Sequence, residues 1–449
     1  MRVLMLGWEF PPHISGGLGT ACYGMTKGLS ELGVGVCFVL PTAVPASATS
    51  HVALRSPTDV RSKRKRDRFE SEEIEHVEFR RVEAALQAYS TPESYAEEVR
   101  RREQRRKLIE DQDEQQQPAE PQPQVGGEQT RSFVRGGGGL HYDGDLMGQV
   151  HRYARLALEV SEQEQFDVVH AHDWMTYPAA LAVAAARGKP LAVHVHSTEF
   201  DRSGEHINQQ VYDVERTGMH GATRVVCVSQ LTKSIVTSRY GVDPAKCEVV
   251  HNAVELPIRT DMQMKPISRD EKIVLFLGRI TMQKGPEYFL QAAKKVIDKY
   301  PKVRFVMAGS GDMMPRMIEL AANLKIGRHV TFTGFLRGDD VDRIFRMADL
   351  YVMPSVSEPF GIAPLEALSR NVPVIISRQS GVSEVLTHAL KVDFWDIDEM
   401  ANKMLGVLRH RPLQSALGQY GQIEVRRMTW RDSAAKLKQI YEGLVTPAL

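Results

Sequence analysis

Short runs of continuous apolar residues alternate with longer amphipathic segments along most of this chain, and that alternation most constrains its fold. The runs are Val3–Leu6, Val36–Leu40, Val168–His172, Leu191–His196, Val225–Val228, Val249–His251, Ile273–Leu277, Val303–Ala308, Val330–Thr333, Leu350–Met353 and Val374–Ile376. They are apolar throughout rather than every second residue, the pattern of strands covered on both faces. Between them, Thr20–Leu32, Glu287–Lys299 and Pro315–Leu324 carry apolar residues at i, i+3, i+4 and i+7. Strand–helix–strand repetition predicts parallel sheets with helices on both faces, and ligands beyond the C-terminal strand ends. A polar stretch with Pro257 and Pro266, near 255–268, precedes a fresh strand and reads as an interdomain linker. Each half is then one doubly wound α/β unit, with a cleft between them.

Composition narrows the class. The 449 residues are 42% hydrophobic and 25% charged, which excludes collagen-like, wholly disordered and disulfide-scaffold chains. A net charge of +1 gives no general attraction to nucleic acid or anionic lipid. Cys22, Cys37, Cys227 and Cys247 are scattered without a C-x-x-C and read as reduced core residues. The opening MRVLMLGWEFPP reads as a buried first strand rather than a signal peptide, and no run reaches the ~18 apolar residues of a membrane helix. The expectation is a soluble cytoplasmic protein. Residues 98–139 break the pattern with Arg100–Lys107, Gln115–Gln117, Pro118, Pro121, Pro123 and Gly136–Gly139, too few apolar residues to offset ordering entropy. We read them as an inserted loop, helical at most around Glu93–Asp111. A basic cluster at Arg61–Arg68 has no interleaved aromatic residues and reads as a solvated loop rather than a nucleic-acid site.

Three segments carry candidate chemistry. Pro11–Gly19 follows the first strand and opens a helix; its Gly16 and Gly17 suit close backbone approach to an anion, or only a tight turn. Gly278-Arg279-Ile280-Thr281-Met282-Gln283-Lys284-Gly285 places two cations at a strand exit, suited to a diphosphate, without the glycine spacing of a P-loop. Ser357–Glu366 puts Glu358 on a loop and Glu366 in the following helix, with backbone N–H groups near Gly361 and Ile362 able to hold phosphate without a metal. The pairs His170/His172 and His194/His196 each lie on one strand face and invite a metal reading or plain packing. Asp143-Gly144-Asp145 has a D-x-D form but follows a glycine run with no strand before it.

Taken in order, these residues resemble retaining nucleotide-sugar glycosyltransferases of the group that includes bacterial glycogen and starch synthases, with the two-Rossmann-domain GT-B fold. The resemblance rests on Gly16-Gly17-Leu18, His170-Ala171-His172-Asp173-Trp174, His194-Val195-His196-Ser197, Val250-His251-Asn252, Arg279/Lys284, Ala308–Asp312, Thr333-Gly334-Phe335 and the E-x7-E pair Glu358–Glu366. It implies an N-terminal acceptor domain over 1–256, a donor domain over 257–428, and a last helix over 429–449 that crosses back to the first domain. It also implies roles. Arg279 and Lys284 bind the diphosphate, Glu358 the sugar hydroxyls, and Gly361 and Ile362 the phosphate. Glu366 binds the ribose, His196 the transferring sugar, and Asn252 the donor sugar. The base packs near Gly334 and Phe335, Gly16 and Gly17 close from the opposite domain, and Asp173 lies on the acceptor side. Neither a cofactor nor a metal is required, and the partners are a nucleotide-sugar donor and a sugar or polysaccharide acceptor. ADP-glucose-dependent glycogen synthases carry Lys-x-Gly-Gly in the first loop; Ile14 stands at the lysine position here. Hexosyl transfer is therefore the expectation, with α-glucan synthesis its leading specific form. The alternatives are a sugar-nucleotide epimerase of the same fold, a histidine-based metal hydrolase, and a non-catalytic carbohydrate-binding relic.

Overall fold

In the computed structural model, the described residues are 1–10, 16–41, 67–68, 77–81, 146–256 and 271–446. The insert at 98–139, the Asp143–Asp145 motif, Ile14, most of the basic cluster and most of the linker lie outside them.

Two sheets organise the chain. The first contains β1 (Arg2–Leu6), β2 (Gly35–Leu40), β3 (Asp67–Arg68), β4 (Val77–Arg81), β5 (Val168–His172), β6 (Leu191–Val195), β7 (Arg224–Cys227) and β8 (Cys247–Val249), in the order β3-β4-β2-β1-β5-β6-β7-β8. All its pairings are parallel except β3 with β4. The second contains β9 (Lys272–Leu277), β10 (Val303–Ala308), β11 (Val330–Gly334), β12 (Leu350–Met353), β13 (Val374–Ser377) and β14 (Leu390–Val392), all parallel, ordered β11-β10-β9-β12-β13-β14. In both sheets the order reverses beside the first strand, between β1 and β5 and between β9 and β12. Doubly wound sheets bind ligands at that reversal, where connections leave the sheet in opposite directions.

The unbroken apolar runs have a direct cause. Leu4 and Leu6 of β1 pack into one core, while Val3 and Met5 pack into another on the opposite face. Both faces are dry, so neither register of the strand accepts a polar residue, and each such side chain contributes roughly 1.5–3 kcal/mol by leaving water. Cys22, Cys37, Cys227 and Cys247 are buried with free thiols. Among the described residues, no helix is long and apolar enough to cross a membrane.

Some elements differ from expectation. The strand expected at Val249–His251 is β8, two residues earlier, and 250–256 leaves the sheet as extended chain. Strands β4 and β14 were not legible: Val-Glu-Phe-Arg-Arg reads as polar edge, and three residues are too few to show a period. The first helix is Gly17–Glu31, opening three residues before the apolar period does. The last helix, Trp430–Val445, starts at Thr429, whose hydroxyl accepts from Asp432 N at 3.2 Å. It lies against the first helix, where Gly24 and Gly28 leave room for Trp430 and Ala434. A chain that ends in the second half of the sequence is thereby packed into the core of the first.

Candidate active site

The second sheet's reversal point carries the cations. β9 ends at Leu277, and the chain turns through Gly278 and Arg279 into a short 3-10 turn, Met282–Lys284. Gly309 makes this turn possible: any Cβ there would sit 1.8 Å from the Gly278 carbonyl oxygen. Backbone bonds fix the contact, Gly278 N to Ala308 O at 3.0 Å and Ile280 N to Ser310 O at 2.9 Å. The Arg279 guanidinium donates to Gln283 Oε1 at 3.1 Å. Gly285, at φ 61°, itself packs against the Pro354 carbonyl, where a Cβ would lie 2.2 Å from the oxygen.

The loop after β12 meets that turn. Val356 N donates to Gln283 O at 2.9 Å. Glu358 bridges to Ser380 in parallel register, its N donating to Gln379 O at 2.9 Å and its carbonyl accepting from Gly381 N at 2.9 Å. Its buried carboxylate accepts from Lys284 Nζ at 2.5 Å and from Ser355 Oγ at 3.0 Å. Two residues 74 apart in sequence thus form one charge-assisted pair at the mouth of the sheet. Gly361 sits at φ 97°, and the helix Ala363–Ser369 follows. Glu366 falls in that helix's first turn, half-buried; burial raises its pKa, opposed by Arg370. At the end of β11, Gly334 O accepts from Gly309 N at 2.9 Å, and Phe335 stands exposed with the Arg337 guanidinium 5.3 Å from its ring centroid.

The first half presents three features. Gly16 and Gly17 open the Gly17–Glu31 helix, exposed, with no side-chain cap and no acidic residue in the first turn. Among the described residues, a Cβ on the extended Gly16 would lie 3.9 Å from Glu9 Oε2, an ordinary contact, and one on Gly17 would meet nothing within 4 Å.

The second feature is the turn after β5. Asp173 is a buried non-glycine residue at φ 58°, a left-handed backbone that costs energy and is typical of functional sites. Its Oδ1 accepts from His196 N at 2.7 Å and Ser197 N at 3.3 Å. Burial pushes its carboxyl up to about 7, opposed chiefly by those amides and Arg202. His196 is half-buried, and burial holds its imidazole down at about 3, so it is neutral at pH 7. Its Nε2 lies 2.9 Å from His172 Nδ1.

The third is the short helix Glu199–Ser203 that follows His196. Thr198 and Asp201 form a capping box, with Thr198 N donating to Asp201 Oδ2 at 2.7 Å. Arg202 bonds Glu199 at 3.1 Å and also pairs with Glu215, which Tyr240 bonds in turn. This helix reaches the other half: Ser357 Oγ donates to Asp201 Oδ1 at 2.5 Å, and Met282 Cε lies 3.7 Å from a Cβ position on Gly204. Asn252 follows β8, buried, and its Oδ1 has no hydrogen-bond partner among the described residues.

Of the residues expected from sequence, Lys284 and Glu358 touch, Arg279 shares their loop system, and His196 reaches them through the 197–204 segment and Ser357. Sequence reasoning missed Ser355, which holds Glu358, Gln283, which holds Arg279, and Asp201, which bonds Ser357. Only Gln283 offered a signal, an amide between the two cations; Ser355 and Asp201 are ordinary in sequence and gain their meaning from tertiary contact.

Three families match in tandem. Residues 2–111 match the starch synthase catalytic domain, 96–256 match Glycosyltransferase Family 4, and 257–424 match Glycosyl transferases group 1. An uncharacterized glycosyltransferase of Methanocaldococcus jannaschii is 33% identical, over 50% of this chain and 61% of its own length. Glycogen synthase of Mycobacterium tuberculosis is 27% identical, over 49% of this chain and 54% of its own. The chain thus spans little more than half the length of these relatives. Among solved structures, sucrose-phosphate synthase of Thermosynechococcus elongatus superposes with a TM-score of 0.70 at 18% identity, covering 99% of this chain and 98% of that one. Anabaena HepE, solved with UDP and glucose, gives 0.66 at 15% identity, covering 99% and 100%.

Proposed function

We propose that this chain, which belongs to the GT-B glycosyltransferases of the group 1 type, transfers a hexose, with glucose the leading reading, from a nucleoside-diphosphate sugar to a sugar or glucan acceptor with retention of configuration. The observation that carries this is the Lys284–Glu358 pair beside Arg279 at the reversal point of the second sheet. A leaving diphosphate develops negative charge, and fixed cations and amide dipoles in a cleft stabilise it without reorganising. Arg279 offers a planar fork and Lys284 a point charge, while the amides at Gly361 and Ile362 complete the cradle. In this reading the charge on the leaving group is met by protein groups, so the reaction itself requires no metal.

Other roles follow from the same frame. Glu358 is already committed to Lys284 and Ser355, which suits binding of sugar hydroxyls better than nucleophilic attack on the anomeric carbon. Retention then proceeds by attack from the departing side, the phosphate accepting the acceptor's proton. Neutral His196 donates or accepts a hydrogen bond at the sugar, and the orphaned Asn252 Oδ1 supplies an acceptor beside it. Glu366, with no hydrogen-bond partner for its carboxylate among the described residues, takes the ribose diol. Gly16 and Gly17, exposed at a helix start with no side-chain cap, let the backbone approach the diphosphate. The base packs by Gly334 and Phe335, Asp173 shapes the acceptor side, and four buried free thiols suit a reducing cytoplasm.

The test is a thermal-shift panel of UDP, ADP, GDP and their sugars. A bound donor at ~100 times its Kd adds ~2.7 kcal/mol of stability. The reading predicts a rise with one nucleotide class, lost in Lys284→Ala. No rise with any of them contradicts it. Release of free nucleoside diphosphate only when acceptor is present separates transfer from epimerisation.

A further inference from the structure

His170, His172 and His194 are fully buried, and their ligating nitrogens all lie within 4.8 Å of one another. His170 and His172 share one face of β5, and His194 stands beside His172 on β6. The partners of the outer nitrogens are instructive. His170 Nδ1 lies 3.0 Å from the Tyr441 hydroxyl, and His172 Nδ1 lies 2.9 Å from His196 Nε2. Among the described residues both Nε2 atoms are without a partner, as are both nitrogens of His194. Four orphaned ring nitrogens in one buried cluster are costly, on the order of 1–3 kcal/mol each when nothing satisfies them. His170 and His172 show the division of a metal-ligating histidine, one nitrogen open and the other fixed by a hydrogen bond.

We propose that His170, His172 and His194 bind a divalent transition-metal ion of the Zn²⁺ class at the C-terminal ends of β5 and β6. Three neutral imidazoles are a donor set that suits Zn²⁺, with bonds of ~2.0–2.1 Å. Burial and mutual proximity keep these rings neutral, the form that ligates. Among the described residues no other histidine, cysteine or carboxylate joins the three, so a water or hydroxide takes the fourth position, and a bound hydroxide lowers the buried charge. The ion ties β5 to β6 and fixes the ring of His172. If His196 has the role proposed above, it is positioned through that ring.

The test reads metal rather than transfer, so it stands apart from the donor-site reading. The full chain, purified without a metal-affinity step, is incubated with Co²⁺ or Zn²⁺, dialysed, and analysed by elemental mass spectrometry and visible absorption. The proposal predicts one equivalent per chain, ligand-field bands of a four-coordinate Co²⁺ site, and a higher Tm with the ion. His194→Gln and His170→Gln abolish this, Tyr441→Phe weakens metal affinity ~10–100-fold by removing the outer hydrogen bond, and exposed His410→Gln leaves it intact. Should a histidine variant not fold, the wild-type titration decides. Metal well below stoichiometry in the loaded wild type, or stoichiometry unchanged in both glutamine variants, overturns the proposal and leaves the histidines as packing.

Discussion

Lys284 and Glu358 are the pair on which turnover should depend most. Removing one preorganised group of this kind commonly costs ~10²–10³-fold in rate. We expect that loss in Lys284→Ala and in Glu358→Gln, with a normal circular dichroism spectrum; near-normal kcat/KM in either contradicts the assignment. Gly17→Ala is a gentler probe. The added methyl meets no atom of the described residues, so Tm should hold while donor affinity falls; unchanged affinity removes the glycine from the site. The histidines predict acid sensitivity. His170, His172, His194 and His196 all have folded pKa values below the ordinary 6.5, so the unfolded chain binds more protons as pH falls through that value. Their stabilisation is present above it and is lost on acidification, on the order of 1 kcal/mol per pH unit for each group. Asp173 works in the opposite direction: its folded pKa of about 7 lies above its unfolded 3.8, so its neutral form favours folding and that contribution fades as pH rises from about 4 to 7. Glu215 and Glu366, also raised by burial, act with Asp173, so four imidazoles stand against three carboxyls and leave the chain less stable at pH 5 than at 7, which urea melts at the two values check. The two cations and two glutamates were legible because charge at a strand exit has few bland explanations. The strain at Asp173 and the Ser355 contact were not, because neither φ nor a bond across 3 residues of loop has a sequence signature.

Elements were legible where both faces are dry. β9 and β10 were read to within a residue because every position is apolar or flanks one that is. β8 was misplaced because Val249-Val250-His251 continues the apolar run after the pairing has ended. β4, paired on both sides, was missed because Glu78, Arg80 and Arg81 break the apolar run that marks the other inner strands. The last helix offers the clearest packing prediction. A Cβ on Gly28 would lie 2.7 Å from Trp430 O and 2.8 Å from the Ala434 Cβ. Gly28→Val should therefore push Trp430–Val445 off the first helix and cost ~1–3 kcal/mol of overpacking, despite the better helix propensity. A denaturant midpoint equal to wild type would show the helices are not held there.

The two halves meet through few but specific contacts. The Glu384 carboxylate accepts from Gln230 N at 2.9 Å and Leu231 N at 2.7 Å, capping the helix Gln230–Arg239 across the divide, and His251 pairs with it at 3.2 Å. Ser357 and Asp201 close a second contact beside Glu358. Ile362 packs into cores of both halves. The order of both sheets follows from the repeated strand–helix–strand pattern, but these contacts come from tertiary geometry, and no local pattern could announce a carboxylate 153 residues away from the amide it caps. What the halves enclose is the central claim, and a crystal structure with an intact nucleoside-diphosphate sugar tests it most directly. The account predicts the diphosphate within hydrogen-bond distance of Arg279 and Lys284, with the sugar against Glu358 and His196. A donor bound with high occupancy anywhere else on the chain would contradict it.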